Sequence, residues 1–408
     1  MSDRIIVRDA ADGIRPTAPP RVSRALALIA VVTIAWGVGS ETRARTSEQP
    51  VTEIVVRPFA PPVGTWAEAS LSGHGSFTDV VQRGSDLVAV GSGMLLDSPP
   101  FAWYVADGRP FVEAVGPWRA GDVITSATAT DAGYLAAGYR ISDPFAAGGP
   151  ASAPMVWASS TGASWEMVSV VGLPARATIA RITSAGATVV AVGWEGPGVL
   201  EPMYPPPREW AEGRVWASTD GREWTDITPD TDSPRFTDVV SGESGPVVAG
   251  SHGGAPAVWA SGDDWSRFAL EGEEWVGYEV IALASDDSGV IALVRDPDDI
   301  EGLISVWRIE ADGTWFGLSR SAAPKSSGWM GVIEGDLFAG AGFSRSVYPA
   351  GPELWVADDG DEWFPVEVTS GPSPWPPAIV ADAIRVGGEI LAVGSRGRAP
   401  TMWTLTGP

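Results

Sequence analysis

Seven short apolar runs recur along the chain, most of them ending in glycine: Leu87–Gly91, Tyr134–Gly138, Val189–Gly193, Pro246–Gly250, Val290–Val294, Leu337–Gly340 and Ile390–Gly394. Runs of this length, bounded by turn residues, are too short for helices and read as strands. Each follows another strand-like piece, such as FTDVV from Phe77 and again from Phe236, RITSA from Arg181 and ADAIRV from Ala381. Each precedes a tryptophan behind a mostly apolar residue: Trp103, Trp157, Trp216, Trp259, Trp307, Trp355 and Trp403. Eight residues further on an aromatic recurs, at Phe111, Trp165, Trp224, Trp315 and Trp363, with Trp265 two residues early. The unit is therefore four short strands, a to d, in about 50 residues, a blade-length period outside the usual helical-repeat patterns.

The last unit stops at TMWTLTGP, just after its c strand, whereas GTWAEASL (Gly64–Leu71) has the d-strand pattern with no a, b or c strand before it. An N-terminal strand laid beside that of Trp403 would complete the last unit and remove two exposed sheet edges. The expected fold is all-β: a seven-bladed β-propeller of four-stranded antiparallel blades over residues 63–408, closed by an N-terminal strand completing the last blade.

Between strands c and d a second motif repeats: VWASTDGREW from Val215, VWASSTGASW from Val156, VWRIEADGTW from Val306 and LWVADDGDEW from Leu354. Asp107-Gly108, Asp220-Gly221 and Asp359-Gly360 fall four and five residues after the c-strand tryptophan; Thr161-Gly162 replaces the acid and Asp312-Gly313 is shifted by one. The series resembles the Asp box of sialidase and BNR-repeat propellers, though the usual box has one more residue between Asp and Gly. The resemblance implies a tight structural turn on the face opposite the active site, with the Asp capping backbone amides and the Gly at positive φ. It carries over no catalytic residue, because no Arg-Ile-Pro element follows an aromatic; the nearest segment is Ala180-Arg181-Ile182-Thr183.

Composition and charge narrow the partners. Residues 63–408 carry 45 acidic and 19 basic side chains, a net −26, so the body repels nucleic acid and anionic lipid. With no Cys there is no disulfide, thiolate metal site or Cys nucleophile. Ala25–Ser40 is uncharged and follows Arg15, Arg21 and Arg24, so it reads as a cleaved export signal or an uncleaved anchor with residues 1–24 inside; residues 41–62, rich in proline, form a linker. The body is expected outside the cytoplasm, secreted or anchored by a single pass, and monomeric.

Propellers bind partners with the d-to-a and b-to-c loops, and the two longest loops, Tyr139–Ala153 and Trp194–Gly213, fall on that face. The aromatics mapped to it or its rim are Trp118, Tyr139, Trp194, Met203 beside Tyr204, Trp210, Trp275, Trp329 and Trp375. Rings beside Asp, Glu and Arg suit a protein or carbohydrate ligand, and Trp275 and Trp329 serve equally as packing between blades. His74 and His252 stand in different units without Cys, so no metal site is expected; Asp296–Glu301 and Asp230–Ser233 read as solvated turns more than as Ca²⁺ loops. No cofactor is expected. The expected function is non-enzymatic binding of a protein or glycan, the alternative being a sialidase-like glycoside hydrolase or lyase acting in the channel mouth.

Overall fold

The structure, a computed structural model, describes residues 63–71, 74–93, 98–106, 110–143, 151–196, 212–231, 234–262, 264–270, 272–286, 289–295, 304–310, 312–319, 327–333, 336–341, 353–357, 364–365, 367–368 and 378–406. The segments 1–24, 25–40 and 41–62 lie outside the described residues, among which no helix is long and apolar enough to cross a membrane. A lone strand, β1 (Val63–Ser70), comes first. Then β2 (Ser76–Arg83), β3 (Asp86–Ser92), β4 (Phe101–Val105) and β5 (Val112–Glu113) form one sheet. The next holds β6 (Asp122–Thr130), β7 (Gly133–Asp143), β8 (Ala151–Ser159) and β9 (Glu166–Val168). The third holds β10 (Ala177–Ala185), β11 (Thr188–Glu195), β12 (Glu212–Ser218) and β13 (Thr225–Asp226). The fourth holds β14 (Arg235–Gly242), β15 (Gly245–His252), β16 (Ala255–Ala260) and β17 (Ser266–Ala269). The fifth holds β18 (Glu279–Asp286), β19 (Gly289–Arg295), β20 (Ile304–Ile309) and β21 (Trp315–Ser319). The sixth holds β22 (Ser327–Ile333), β23 (Asp336–Ala341), β24 (Glu353–Ala357) and β25 (Phe364–Pro365).

These six sheets are four-stranded and antiparallel, with strands in chain order. The remaining sheet takes β26 (Glu367–Val368), β27 (Ala378–Val386), β28 (Glu389–Arg396) and β29 (Ala399–Thr406), and has the order β26-β1-β29-β28-β27. Here β1 runs antiparallel to β29 with Glu68 opposite Trp403, and Val63 and Gly64 run parallel to β26. Glu68 accepts a hydrogen bond from the Trp403 indole at 3.2 Å and pairs with the Arg396 guanidinium at 2.8 Å.

In the units whose second strands have described side chains, the apolar run has both of its faces covered. In β3, Val88 and Val90 pack against Ile124, Ala136 and Trp157 of the second sheet, while Leu87 and Ala89 pack against Leu391, Val393 and Met402 of the last. In β11, Val189 and Ala191 meet Leu135 and Val156 behind them, and Val190 and Val192 meet Val248 and Trp259 ahead. Strand alternation sends successive side chains to opposite neighbours, and each fully buried Val or Leu stabilises the fold by about 1.5–3 kcal/mol. Four of the c-strand tryptophans face the preceding sheet: Trp157 meets the first, Trp216 the second, Trp259 the third and Trp307 the fourth. The glycine closing the second strand leaves room for the first: a Cβ on Gly138, Gly193 or Gly250 would lie 1.9, 2.0 or 1.6 Å from the carbonyl oxygen of Val123, Thr178 or Arg235.

The c-to-d turn joins one sheet to the one before. Asp220 Oδ1 accepts from the amides of Arg222 (2.7 Å) and Glu223 (3.0 Å), Ser218 Oγ accepts from Gly221 N (2.9 Å), and Trp224 donates its indole N–H to the Gly221 carbonyl at 3.1 Å. The Glu223 and Arg222 amides hold the Asp220 carboxyl below its ordinary pKa. Gly162 and Gly313 also sit at positive φ, 82° and 85°, and Asp312 caps Thr314 N at 2.9 Å. Asp107, Gly108, Asp359 and Gly360 lie outside the described residues.

Gly221, at φ 72°, has Leu135 of the preceding sheet 2.9 Å from where a Cβ would be. Gly186 has a similar φ of 62° but nothing within 4 Å. In urea denaturation, Gly186→Ala is expected to lose about 1–2 kcal/mol from backbone strain and Gly221→Ala about 1–3 kcal/mol more from displaced packing. Equal losses would contradict the role of this turn as a joint between sheets.

Candidate functional site

The first strands of successive sheets lie side by side: β2 beside β6, then β10, β14, β18, β22 and β27, which lies in turn beside β2. Each carries a β-bulge at the same place, at Thr78, Thr125, Ala180, Thr237, Ile281, Gly328 and Ala381. A bulge leaves main-chain groups outside the ladder, and side chains from the neighbouring first strand take them up.

Asp382 accepts from Val80 N across the contact of β27 with β2 (2.8 Å), Asp79 from Ala127 N (2.8 Å) and the Ser126 hydroxyl (2.7 Å), and Asp238 from Leu283 N (2.8 Å). Ser126 Oγ accepts from Ile182 N at 3.2 Å. The bulged threonines bind the opposite pole: Thr78 donates toward the Ile124 carbonyl at 3.1 Å, Thr125 toward Ile179 at 2.9 Å and Thr237 toward Val280 at 2.6 Å.

The same arrangement gathers charge. Asp238 and Asp382 each lie within electrostatic range of Asp79 and of the guanidinium of Arg181, four groups from four different sheets. Burial pushes the Asp238 carboxyl above its ordinary pKa against the pull of Arg181 and of the Leu283 and Val239 amides. Asp382 is pushed well above it by burial, then by the charge of Asp79 and a hydrogen bond between the two carboxyls. A shared proton is the stable condition of two close carboxyls. The oxygens of Asp382 also accept from Val80 N and Ala383 N, both at 2.8 Å, which leaves them poorly placed to attack a substrate or coordinate an ion. Among the described residues no group of three His, Asp or Glu gathers with metal-holding geometry. The segment 296–301 and residues 232–233 lie outside the described residues.

None of these acids stood out in the sequence as more than a strand residue. The available signal was their offset: Asp79 and Asp238 each stand two residues after a phenylalanine in FTDVV, and Asp382 occupies the same place in ADAIRV. An acid amid a buried apolar strand needs partners to stay there.

At the end of the sheets from which the b-to-c loops leave, ion pairs brace the rim. Asp122 binds Arg140; Glu279 binds Arg295 at 2.8 Å and Arg235 of the preceding sheet at 3.5 Å; Arg214 lies between Glu195 (3.5 Å) and Glu212 (3.0 Å). The expected binding aromatics divide. Tyr139 and Trp194 are buried, and pack with Val123 and Ile141 between the second and third sheets. Tyr139 was expected to open a loop, but β7 continues to Asp143 and carries its ring inward. Trp118 lies half-buried against Trp157 and Trp165, with ring centroids 6.1 and 6.2 Å away. Trp275 ends a single 3-10 turn and stacks edgewise on Tyr278 and Trp307. Met203, Tyr204, Trp210 and Trp375 lie outside the described residues.

The raised carboxyl values fix a pH dependence. Between the ordinary value of 3.8 and its raised native value, Asp382 keeps a proton that the unfolded chain has released, so stability falls as pH rises through that window. Asp382→Asn is expected to flatten the decline in urea-unfolding free energy as pH rises above the ordinary carboxyl value, without abolishing it, since Asp238 contributes in the same direction. An unchanged slope would contradict the shared-proton arrangement.

Comparison with protein-family models and with curated proteins gives no match. Solved structures do match. A structure of YCF48 bound to D1 peptide superposes with a TM-score of 0.53 at 13% identity, covering 85% of this chain and 98% of that one. The WD40 beta propeller domain of Doa1 gives 0.52 at 12% identity, with 85% and 97% covered. A puromycin-hydrolyzing peptidase of Mycobacterium tuberculosis gives 0.52 at 13% identity, and this chain spans 52% of its length. Together with the ring-like succession of antiparallel sheets, these likenesses establish the fold as a β-propeller.

Proposed function

We propose that this chain is a seven-bladed propeller closed by β1, and that it binds a protein or carbohydrate partner on the b-to-c and d-to-a loop face without catalysing a reaction. Closure is supported by the place of β1: it takes the outer position beside β29, and its first residues pair in parallel with β26. Val115 and Val171 make the same kind of parallel bridge with the c-to-d turns of the second and third sheets. The sialidase-type turn series supports the ring and marks a structural face.

The observation that carries the non-enzymatic reading is the engagement of the central carboxylates with strand amides. A glycoside hydrolase needs one carboxyl free to donate a proton and another free to attack or to activate water. The oxygens of Asp79, Asp238 and Asp382 that face neighbouring strands are already taken by main-chain donors. The binding face is supported by the longest b-to-c connection, which leaves the β11–β12 hairpin between Glu195 and Glu212; in the neighbouring β7–β8 hairpin the strands run on to Asp143 and start again at Ala151, so most of the expected Tyr139–Ala153 loop is strand. The packed rings of Tyr139 and Trp194 lie between those hairpins and give the loops a rigid base. YCF48, which shares the fold, is bound to a peptide in its own structure. The partner is met outside the cytoplasm, with the protein secreted or held by residues 25–40.

Replacing residues 196–211 by an Asn-Gly turn between the paired Glu195 and Glu212 tests this reading. The thermal midpoint is expected to stay within a few degrees, and the partner recovered from envelope fractions by the intact protein is expected to be lost. Identical recovery by both forms would overturn the loop-face assignment. The intact protein is also expected to release no fluorophore from a panel of 4-methylumbelliferyl glycosides; release abolished by Asp382→Asn would establish the hydrolase alternative instead.

A further inference from the structure

Along the outer strands of the first two sheets and the connections that follow them, four large apolar side chains face solvent: Val112 is 49% exposed, Val115 72%, Met167 46% and Val171 64%. Single exposed apolar residues need no explanation, but these occupy one stitched strip. Val115 donates to the Ala163 carbonyl at 2.9 Å and accepts from Trp165 N at 2.8 Å. Val171 repeats the exchange one sheet later, with Arg222 O at 2.8 Å and Trp224 N at 2.9 Å. Met167 follows three residues after Ser164, the bridge partner of Val115. The strip is therefore fixed to the ring by main-chain bonds, and two successive units place an exposed valine at the same point.

The flanks are acidic. Glu113, Glu166 and Glu223 are exposed along the same strands and turns, and Arg222, next to Glu223, is committed to Glu166 at 3.2 Å. We propose that this strip is a docking surface for a basic polypeptide segment in which Lys or Arg alternates with apolar side chains. Charge decides among occupants. A second copy would bring like acidic flanks together on bodies of net charge −26, and the same field repels anionic lipid and nucleic acid. A basic, apolar segment covers the valines and Met167 while its cations meet Glu113, Glu166 and Glu223, the combination of an apolar centre and a charged rim that specific interfaces share. The surface uses no residue of the b-to-c loops, so it stands or falls separately from the loop-face reading.

The test is fluorescence anisotropy of the full chain with a labelled peptide of about 12 residues alternating Leu and Arg, against Ser/Arg and Leu/Glu peptides of equal length. Two variants are compared with the parent, Val115→Ser with Val171→Ser, and Glu113→Gln with Glu166→Gln and Glu223→Gln. All five positions are exposed, and the thermal midpoint verifies that each variant is folded. The Leu/Arg peptide is expected to bind at least about tenfold more tightly than either control and to lose about tenfold in each variant; the parent's salt dependence is expected to shrink in the glutamine variant. Binding matched by the Ser/Arg peptide, or unchanged by the serine pair, would overturn the proposal. So would a dimer in sedimentation equilibrium that the serine pair dissolves, since the occupant would then be a second copy.

Discussion

The hydrogen bond from the Ala127 amide to the Asp79 carboxylate, 2.8 Å long, belongs to the set of contacts on which the architecture depends. Sheets that meet face to face share no β-ladder, so where first strands converge and bulge their amides have no partner of their own kind. An unpaired buried amide costs about 1–3 kcal/mol. Acceptors reaching across from the previous strand, Asp382 to Val80, Asp79 to Ala127, Ser126 to Ile182 and Asp238 to Leu283, turn that cost into a specific link between neighbours. Apolar burial on both faces of β3, β7 and β11 supplies most of the adhesion, while these polar contacts fix which sheet follows which.

Much of this was legible in the sequence, because the features that define a unit are local. The apolar second strand, the c-strand tryptophan and the Asp-Gly turn announce themselves by period and by residue type. Strand β1 beside β29 followed from counting strands. The central acids were not legible in the same way. Nothing in FTDVV says that its aspartate reaches an amide 48 residues away, since that depends on how sheets are arranged around a common centre. Tyr139 and Trp194 differ for another reason: each follows the glycine that ends an apolar run, a pattern that by itself marks a strand's end, yet β7 and β11 run past it. Gly138 and Gly193 instead accommodate the carbonyls of Val123 and Thr178 while the strand runs on. The alternation of Tyr139 and Ile141 inward with Arg140 outward was the signal of continuation.

The molecule divides its labour by position. The centre holds charges, and strand amides occupy them. The c-to-d turns hold sheet to sheet, as Gly221 against Leu135 illustrates. The proposed recognition surfaces lie away from these contacts, at the ends of the hairpins that stop at Asp143 and Glu195 and on the outer strands around Val115 and Val171.

The central claim is that the acids at the centre are structural straps. Amide hydrogen exchange of the native protein at Val80, Ala127 and Leu283 tests it most directly. The account predicts that these three amides, though at bulges, exchange only by global unfolding, with the protection of the buried ladder amides of β3 and β11. Exchange at the rate of exposed turn amides would contradict it, and would leave Asp79, Asp238 and Asp382 free for the chemistry that their convergence would then invite.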